Sequence, residues 1–144
     1  MYHGGMDDVE RVEAAMVAVR RRQSRRALAR LHDDVQGALY DVLDAVEAGS
    51  AVTVSSLAQA LGVDQPRASR LVAAAVAEGL VRRQADQADG RRSVLVLTAA
   101  GREAAERAHR TRQAVFRSAM DGWTDAECAE FARLLTRFVQ ALPG

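Results

Sequence analysis

Thr53 to Gly101 constrains the fold of this chain more than any other stretch. It reads TVSSLAQALGVDQPRASRLVAAAVAEGLVRRQADQADGRRSVLVLTAAG, and its helix caps and turn formers are closely spaced. Ser55 and Ser56 precede the apolar run Leu57, Ala58, Ala60 and Leu61. Ser56 with Gln59 fits a capping box, in which a hydroxyl and an amide satisfy backbone N–H groups left open at a helix start. Gly62 ends this first short helix, because glycine turns left-handed at no steric cost, and Val63 is placed to plug the turn. Asp64 caps a second helix with Pro66 in its first turn, where a missing N–H does no harm. Ala68, Leu71, Val72, Ala75 and Val76 recur at three- and four-residue steps and are expected to face a core. Gln65, Arg67, Ser69 and Arg70 are left pointing outward from the first two turns. Gly79 followed by Leu80 reads as a glycine C-cap with its apolar contact.

Two strand-like runs follow, Leu80 to Gln84 and Ser93 to Thr98, the second alternating Val94 and Val96 against Leu95 and Leu97. Between them lies Asp86-Gln87-Ala88-Asp89-Gly90-Arg91-Arg92, a turn-former cluster that ends in adjacent guanidiniums. Helix, turn, helix and basic hairpin in this order make a winged helix-turn-helix. In that fold the outward residues early in the second helix meet base edges and phosphates of duplex DNA. An exposed hairpin tip suits a minor groove, where arginine is drawn to concentrated negative potential. Asp89, two residues before Arg91, is expected to orient that arginine through a bidentate pair. The competing reading is that Arg82, Arg83, Arg91 and Arg92 only solvate a surface hairpin; their position directly after a helix-turn-helix favours the DNA reading.

The pieces TVSSLAQALGVDQPRASRLV, EGLVRR, DQADGRR and LVLTAAG resemble the core of the multiple antibiotic resistance regulator (MarR) family of bacterial transcription regulators. These pieces cover about a third of the chain, and the flanking helical segments fit the family layout over nearly its whole length. The resemblance implies a homodimer on a pseudo-palindromic operator in double-stranded DNA, with wing arginines in the minor groove. It also implies frequent release by a small ligand or by thiol oxidation. The family's recognition helix maps onto Gln65 to Ala77, and its wing Asp-x-Arg onto Asp89-Gly90-Arg91. Pro66 departs from the pattern, since members often carry a Ser or Thr there that reaches a phosphate. More weight therefore falls on Gln65, Arg67, Ser69 and Arg70. The candidate DNA-binding set is Ser55, Gln65, Pro66, Arg67, Ser69, Arg70, Asp89, Gly90, Arg91 and Arg92.

The flanks are expected to be helical. Asp7 to Ala29 carries Val9, Val12, Met16 and Val19 along one stripe, and its later half holds Arg20, Arg21, Arg22, Arg25, Arg26 and Arg30. Those arginines read either as a solvated face that complements the helix C-terminal dipole or as a phosphate-facing or subunit-pairing surface. A second helix from about Asp33 to Ala48 turns Val35, Leu39, Val42, Leu43 and Val46 inward and stops at Gly49. After the hairpin, Thr98 caps a long helix to about Met120 that carries Ala104, Ala105, Ala108, Val115 and Phe116. Asp121-Gly122 breaks it. Thr124-Asp125-Ala126-Glu127 is a capping box for a last helix with Phe131, Leu134, Leu135, Phe138, Val139 and Leu142. So apolar a terminal helix, beside a first helix with no domain of its own, points to an intertwined dimer.

The expected architecture is thus mainly α with a small β-wing. Residues 34–98 make the winged helix-turn-helix, and residues 7–30 and 99–142 a helical dimerisation lobe, in one chain of 144 residues. Met1 to Met6 reads as a tail.

Composition agrees. The formal net charge of +1 argues against a grossly basic nucleic-acid coat. All 20 basic residues are arginine, a side chain suited to bidentate contacts with guanine or phosphate. No apolar run approaches the roughly 18 residues of a membrane span, and Asp7, Asp8 and Glu10 spoil a signal peptide. No membrane partner is expected, and the expected location is cytoplasmic.

Nothing in the chain points to catalysis, and no cofactor or metal is expected. His3, His32 and His109 are scattered without a carboxylate or cysteine at ligand spacing. Cys128 is the only cysteine, which excludes an intramolecular disulfide; it reads as packing or incidental. Gly4-Gly5 lies in the tail, and Gly101 belongs to the helix start after the wing. Family members often bind small aromatic acids in a crevice beside the winged domain. Here Met16, Val19, Arg20, His32 and Tyr40 are the residues that would border one, although Tyr40 also reads as packing. Two functions remain: a dimeric regulator, expected to repress, or a winged helix used as a protein-interaction or architectural module without a specific operator.

Overall fold

The computed structural model describes the backbone of residues 6–30 and 34–144, and the side chains of residues 7–23 and 37–144. The tail up to residue 5 and His32 lie outside the described residues, as do the side chains of Met6, Arg25, Arg26, Arg30 and Val35. Among the described residues the order is α1 (Met6–Arg30), α2 (Asp34–Ala48), α3 (Val54–Leu61), α4 (Gln65–Ala77), β1 (Val81–Ala85), β2 (Ser93–Leu97), α5 (Ala99–Ala119) and α6 (Asp125–Ala141). The chain is mainly helical with one two-stranded antiparallel hairpin. No helix among the described residues is long and apolar enough to cross a membrane. The chain divides into two compact units, one extending to Ala105 and the other Glu106–Gly144.

The first unit is built on one apolar cluster. Leu39, Val42, Leu43 and Val46 come from α2, Leu57 from α3, and Val72 and Ala75 from α4. Val81 and Leu95 come from the hairpin, Ala104 and Ala105 from α5, and Val52 from the segment before α3. Every expected inward residue of α2 with a described side chain is buried. On α4 Ala68, Val72 and Ala75 are buried, with Leu71 and Val76 half-buried beside them. Leu57 is fully enclosed. Its truncation to alanine would cost about 2–5 kcal/mol in lost transfer energy and a residual cavity.

The helix start before Leu57 differs from the sequence expectation. The N-cap is Thr53, in extended backbone, and the reciprocal box joins Thr53 to Ser56 rather than Ser56 to Gln59. The Ser56 N–H donates to Thr53 Oγ1 at 3.1 Å, and the Thr53 N–H donates to Ser56 Oγ at 2.9 Å. Ser56 already lies inside the helix, so it cannot adopt the extended backbone a cap requires.

The hairpin pairs Val81 with Leu97, Arg83 with Leu95 and Ala85 with Ser93. Its strands are shifted slightly from expectation, and Thr98 leaves the strand to start α5. Alternation also fails on β2, because the adjacent residues Val94 and Leu95 are both buried. A further main-chain bond accompanies this burial: the Leu95 N–H donates to the Val52 carbonyl at 2.7 Å. β2 is therefore flanked by β1 on one side and by the segment before α3 on the other.

In the second unit, Thr124 and Glu127 form the expected capping box at the start of α6. Glu127 is held below the ordinary carboxylate range, chiefly by the Thr124 backbone N–H and then by its hydroxyl. Glu130 is also lowered, by the hydrogen bond from Arg133. No residue of α6 is buried; Phe131, Leu134, Leu135 and Val139 are exposed on it, and Leu142 is exposed at its C-cap. Trp123 meets Phe131 edge to face, with ring centroids 5.3 Å apart. On α5 Val115 is exposed, as is Phe116 at 60%. His109 accepts on Nδ1 from Arg112 at 2.7 Å, so it is partnered.

Candidate nucleic-acid interface

Two identical chain endings fix the position of α4. After α3 the Gly62 N–H donates to the Gln59 carbonyl at 3.2 Å and the Val63 N–H to that of Ala58 at 3.0 Å. After α4 the Gly79 N–H donates to Val76 at 2.9 Å and the Leu80 N–H to Ala75 at 3.0 Å. Both are Schellman closures, with glycine left-handed at φ 67° and 74° and an apolar residue next. Val63 and Leu80 are each half-buried, anchoring the turn before α4 and the connection after it. At the front of α4 Asp64 Oδ1 accepts the Arg67 N–H at 2.8 Å. Pro66 sits in the first turn.

With Ala68, Val72 and Ala75 inward, Gln65, Pro66, Arg67, Ser69 and Arg70 are all exposed. They occupy the first two turns of a helix whose opposite side is held by the core. Ser55 is exposed in the first turn of α3. This is a polar, cationic helix front with only Asp64, already engaged as the cap, carrying opposite charge.

The hairpin tip is tied down by its own main chain. The Asp86 N–H donates to the Arg92 carbonyl at 2.9 Å, and the Arg92 N–H to the Asp89 carbonyl at 3.0 Å. Asp86 Oδ1 accepts the Ala88 N–H at 3.0 Å. Asp89 Oδ1 accepts the Arg91 N–H at 3.1 Å. This last bond replaces the expected bidentate pair between Asp89 and the Arg91 guanidinium. The carboxylate turns toward the main chain two residues on, the usual preference of Asp in a tight turn. The ion pair of the tip is instead Arg92 to Asp86. Arg82, Arg83, Arg91 and Arg92 are exposed, and Gly90 lies at the tip with open space around it.

The wing base is joined to α5 through Thr98, whose hydroxyl donates to the Gly79 carbonyl at 2.6 Å and accepts the Gly101 N–H at 3.0 Å. Arg102 Nη1 donates to the Leu97 carbonyl at 3.1 Å, closing the end of β2. Sequence reading missed the roles of Asp86, Val52 and Thr53, and gave the cap of α3 to Ser56. Asp86 had a visible signal, an acidic residue at the mouth of a hairpin whose far side is Arg92. For Val52 a lone valine between small residues carries none.

Of the residues considered for a ligand, Met16, Val19 and Arg20 lie on α1 and Tyr40 on α2, all exposed or nearly so.

Residues 33–92 match the model of the MarR family. Over these residues the chain is similar to the MarR family. Solved structures similar to the chain share its fold over nearly the full length. A MarR family protein from Bacillus stearothermophilus is 19% identical, covering 95% of this chain and 96% of that one with a TM-score of 0.76. A MarR family transcriptional regulator from Silicibacter pomeroyi is 24% identical, covering 91% and 92% with a TM-score of 0.62. The S. aureus MepR structure bound to ethidium bromide is 19% identical, covering 91% and 96% with a TM-score of 0.60. No curated protein matches the chain. The fold is thus that of MarR-type transcriptional regulators, and the features of this MarR-like chain that bear on function are its own α4 front and wing tip.

Proposed function

We propose that this protein is a homodimeric, sequence-specific DNA-binding regulator that represses by occupying a pseudo-palindromic promoter site. One observation carries the reading. The exposed front of α4 and the arginine-bearing wing belong to one unit whose core and Schellman closures hold both in place. Gln65, Arg67, Ser69 and Arg70 read base edges and phosphates in the major groove. Ser55 and Pro66 flank that contact. Arg91 enters the adjacent minor groove with Asp89 and Gly90 shaping the tip around it. Affinity comes mainly from arginine–phosphate contacts and falls steeply with salt, and specificity comes from α4 and the wing.

The exposed apolar side chains of α1, α5 and α6 support a second copy as partner, with residues 7–30 and 99–142 forming the paired lobe. A two-fold dimer sets its recognition helices about one DNA turn apart. A small aromatic effector bordered by Met16, Val19, Arg20, His32 and Tyr40 would act by favouring one spacing of those helices. The S. aureus MepR complex with ethidium supports an effector of aromatic character. The protein acts in the cytoplasm, as a regulator and not as an enzyme.

The deciding experiment is selection of bound sequences from a random duplex library at moderate and high salt. A two-fold symmetric motif with half-sites about one helical turn apart is the expected result. Binding without any enriched motif, fading as salt rises, would falsify the operator reading and leave an architectural or protein-interaction module.

A further inference from the structure

The wing tip holds two adjacent guanidiniums and treats them differently. Arg92 Nε lies 3.8 Å from Asp86 Oδ2, and the Asp86 side chain is only 12% exposed against 53% for Arg92. The same Asp86 carboxylate accepts the Ala88 N–H through its other oxygen, and the Asp86 N–H closes the loop onto the Arg92 carbonyl. Asp86 therefore meets Arg92 twice, once through the main chain and once through charge. Arg91 has only its main-chain N–H engaged, by Asp89. Its guanidinium has no acceptor among the described residues.

We infer that Asp86 is a positioning residue for the wing: its ion pair with Arg92 braces the loop, so that Arg91 alone is presented to the duplex. Arg92 holds the tip and does not contact phosphate. The inference rests on the DNA-binding reading for its functional part, whereas the brace belongs to the free protein.

Charge alone predicts the opposite sign for one variant. A carboxylate near a polyanion repels it, so neutralising an Asp86 with no bracing role would tighten binding. Neutralising a brace weakens binding, because the tip must be ordered at the moment of association. A phosphate contact by Arg92 would also contribute about 0.9 to the salt slope of the binding constant, whereas a brace contributes none.

The test uses the full-length chain, with Asp86→Asn, which keeps an oxygen for the Ala88 N–H, and Arg92→Gln. Affinity for the duplex enriched from the random library is measured across salt, and amide exchange is measured on the free protein. The expected result is a loss of about two- to fivefold in each variant, the range of a partly exposed ion pair. The salt slope should stay unchanged, the double variant should bind no more weakly than either single one, and exchange at positions 86 and 92 should be faster. Equal or tighter binding by Asp86→Asn overturns the inference, as does a salt slope lowered by about one unit in Arg92→Gln. If wild type enriches no duplex, the DNA reading fails by itself. Exchange then decides the brace: faster exchange in both variants upholds it, and unaltered exchange overturns it.

Discussion

Gly101 lies directly against the Leu80 carbonyl: a Cβ built on the glycine would stand 2.0 Å from that oxygen. The first turn of α5 can thus approach the connection between α4 and β1 only because position 101 has no side chain. Gly101→Ala forces backbone apart in a packed region and should destabilise the protein by about 1–3 kcal/mol. Gly90→Ala is the contrasting case, since a methyl there meets open space and the backbone is not left-handed. It should change stability by no more than about 0.5 kcal/mol. Urea unfolding of the two variants checks both, and equal effects would contradict the close approach.

Arg70→Ala and Arg91→Ala should weaken operator binding while leaving thermal unfolding unchanged, because neither guanidinium has a partner among the described residues whose loss would be felt in the fold. A cost of about 1–3 kcal/mol is expected for Arg70 if it reads a base pair, accompanied by relaxed specificity at one position of the half-site. Anisotropy titrations with the selected duplex and its single-base variants measure this. Wild-type affinity in both variants would withdraw the site.

The capping box of α6 makes a pH prediction. The folded pKa of Glu127 is depressed, by the Thr124 N–H first and its hydroxyl second. Its stabilising contribution is therefore fully present above the ordinary unfolded value and is lost as pH falls through the lower folded one. Thr124→Ala should move the Glu127 titration, followed by carboxyl NMR, upward toward its ordinary value. No movement would mean that the box does not form in solution.

Leu135→Glu places a charge among the exposed apolar residues of α6 and should convert a dimer to monomer. Sedimentation should fall from twice the chain mass to the chain mass, and DNA affinity should fall with it. Trp123 is the only tryptophan and stacks edge-on with Phe131, so its emission gives a second readout on dilution of the wild type. A wild-type chain that sediments as a monomer at every concentration would remove the two-fold operator as well.

Much of the fold was legible because the decisive residues act locally. Gly62, Asp64, Gly79 and Thr98 each terminate or start a helix through bonds within a few residues, and the 3.6-residue spacing of Ala68, Val72 and Ala75 fixes which side of α4 is outward. What escaped reading depends on distant partners or on competition between near ones. Val52 gains its role only when β2 arrives from more than forty residues away. Thr53 and Ser56 both carry hydroxyls, and only the observed backbone says which lies outside the helix. At the tip, Asp86 and Asp89 compete for two arginines, and the loop closure between positions 86 and 92 decides in favour of Asp86 and Arg92.

The cations exposed on α4 and the wing are all guanidiniums: Arg67, Arg70, Arg82, Arg83, Arg91 and Arg92. Such a group is a planar fork of five donors, unlike the single ammonium point of a lysine. It is closed to acetylation, which needs a primary amine. Under the proposed DNA-binding role, this face is therefore loosened by a change of shape and not by acetylation of its cations.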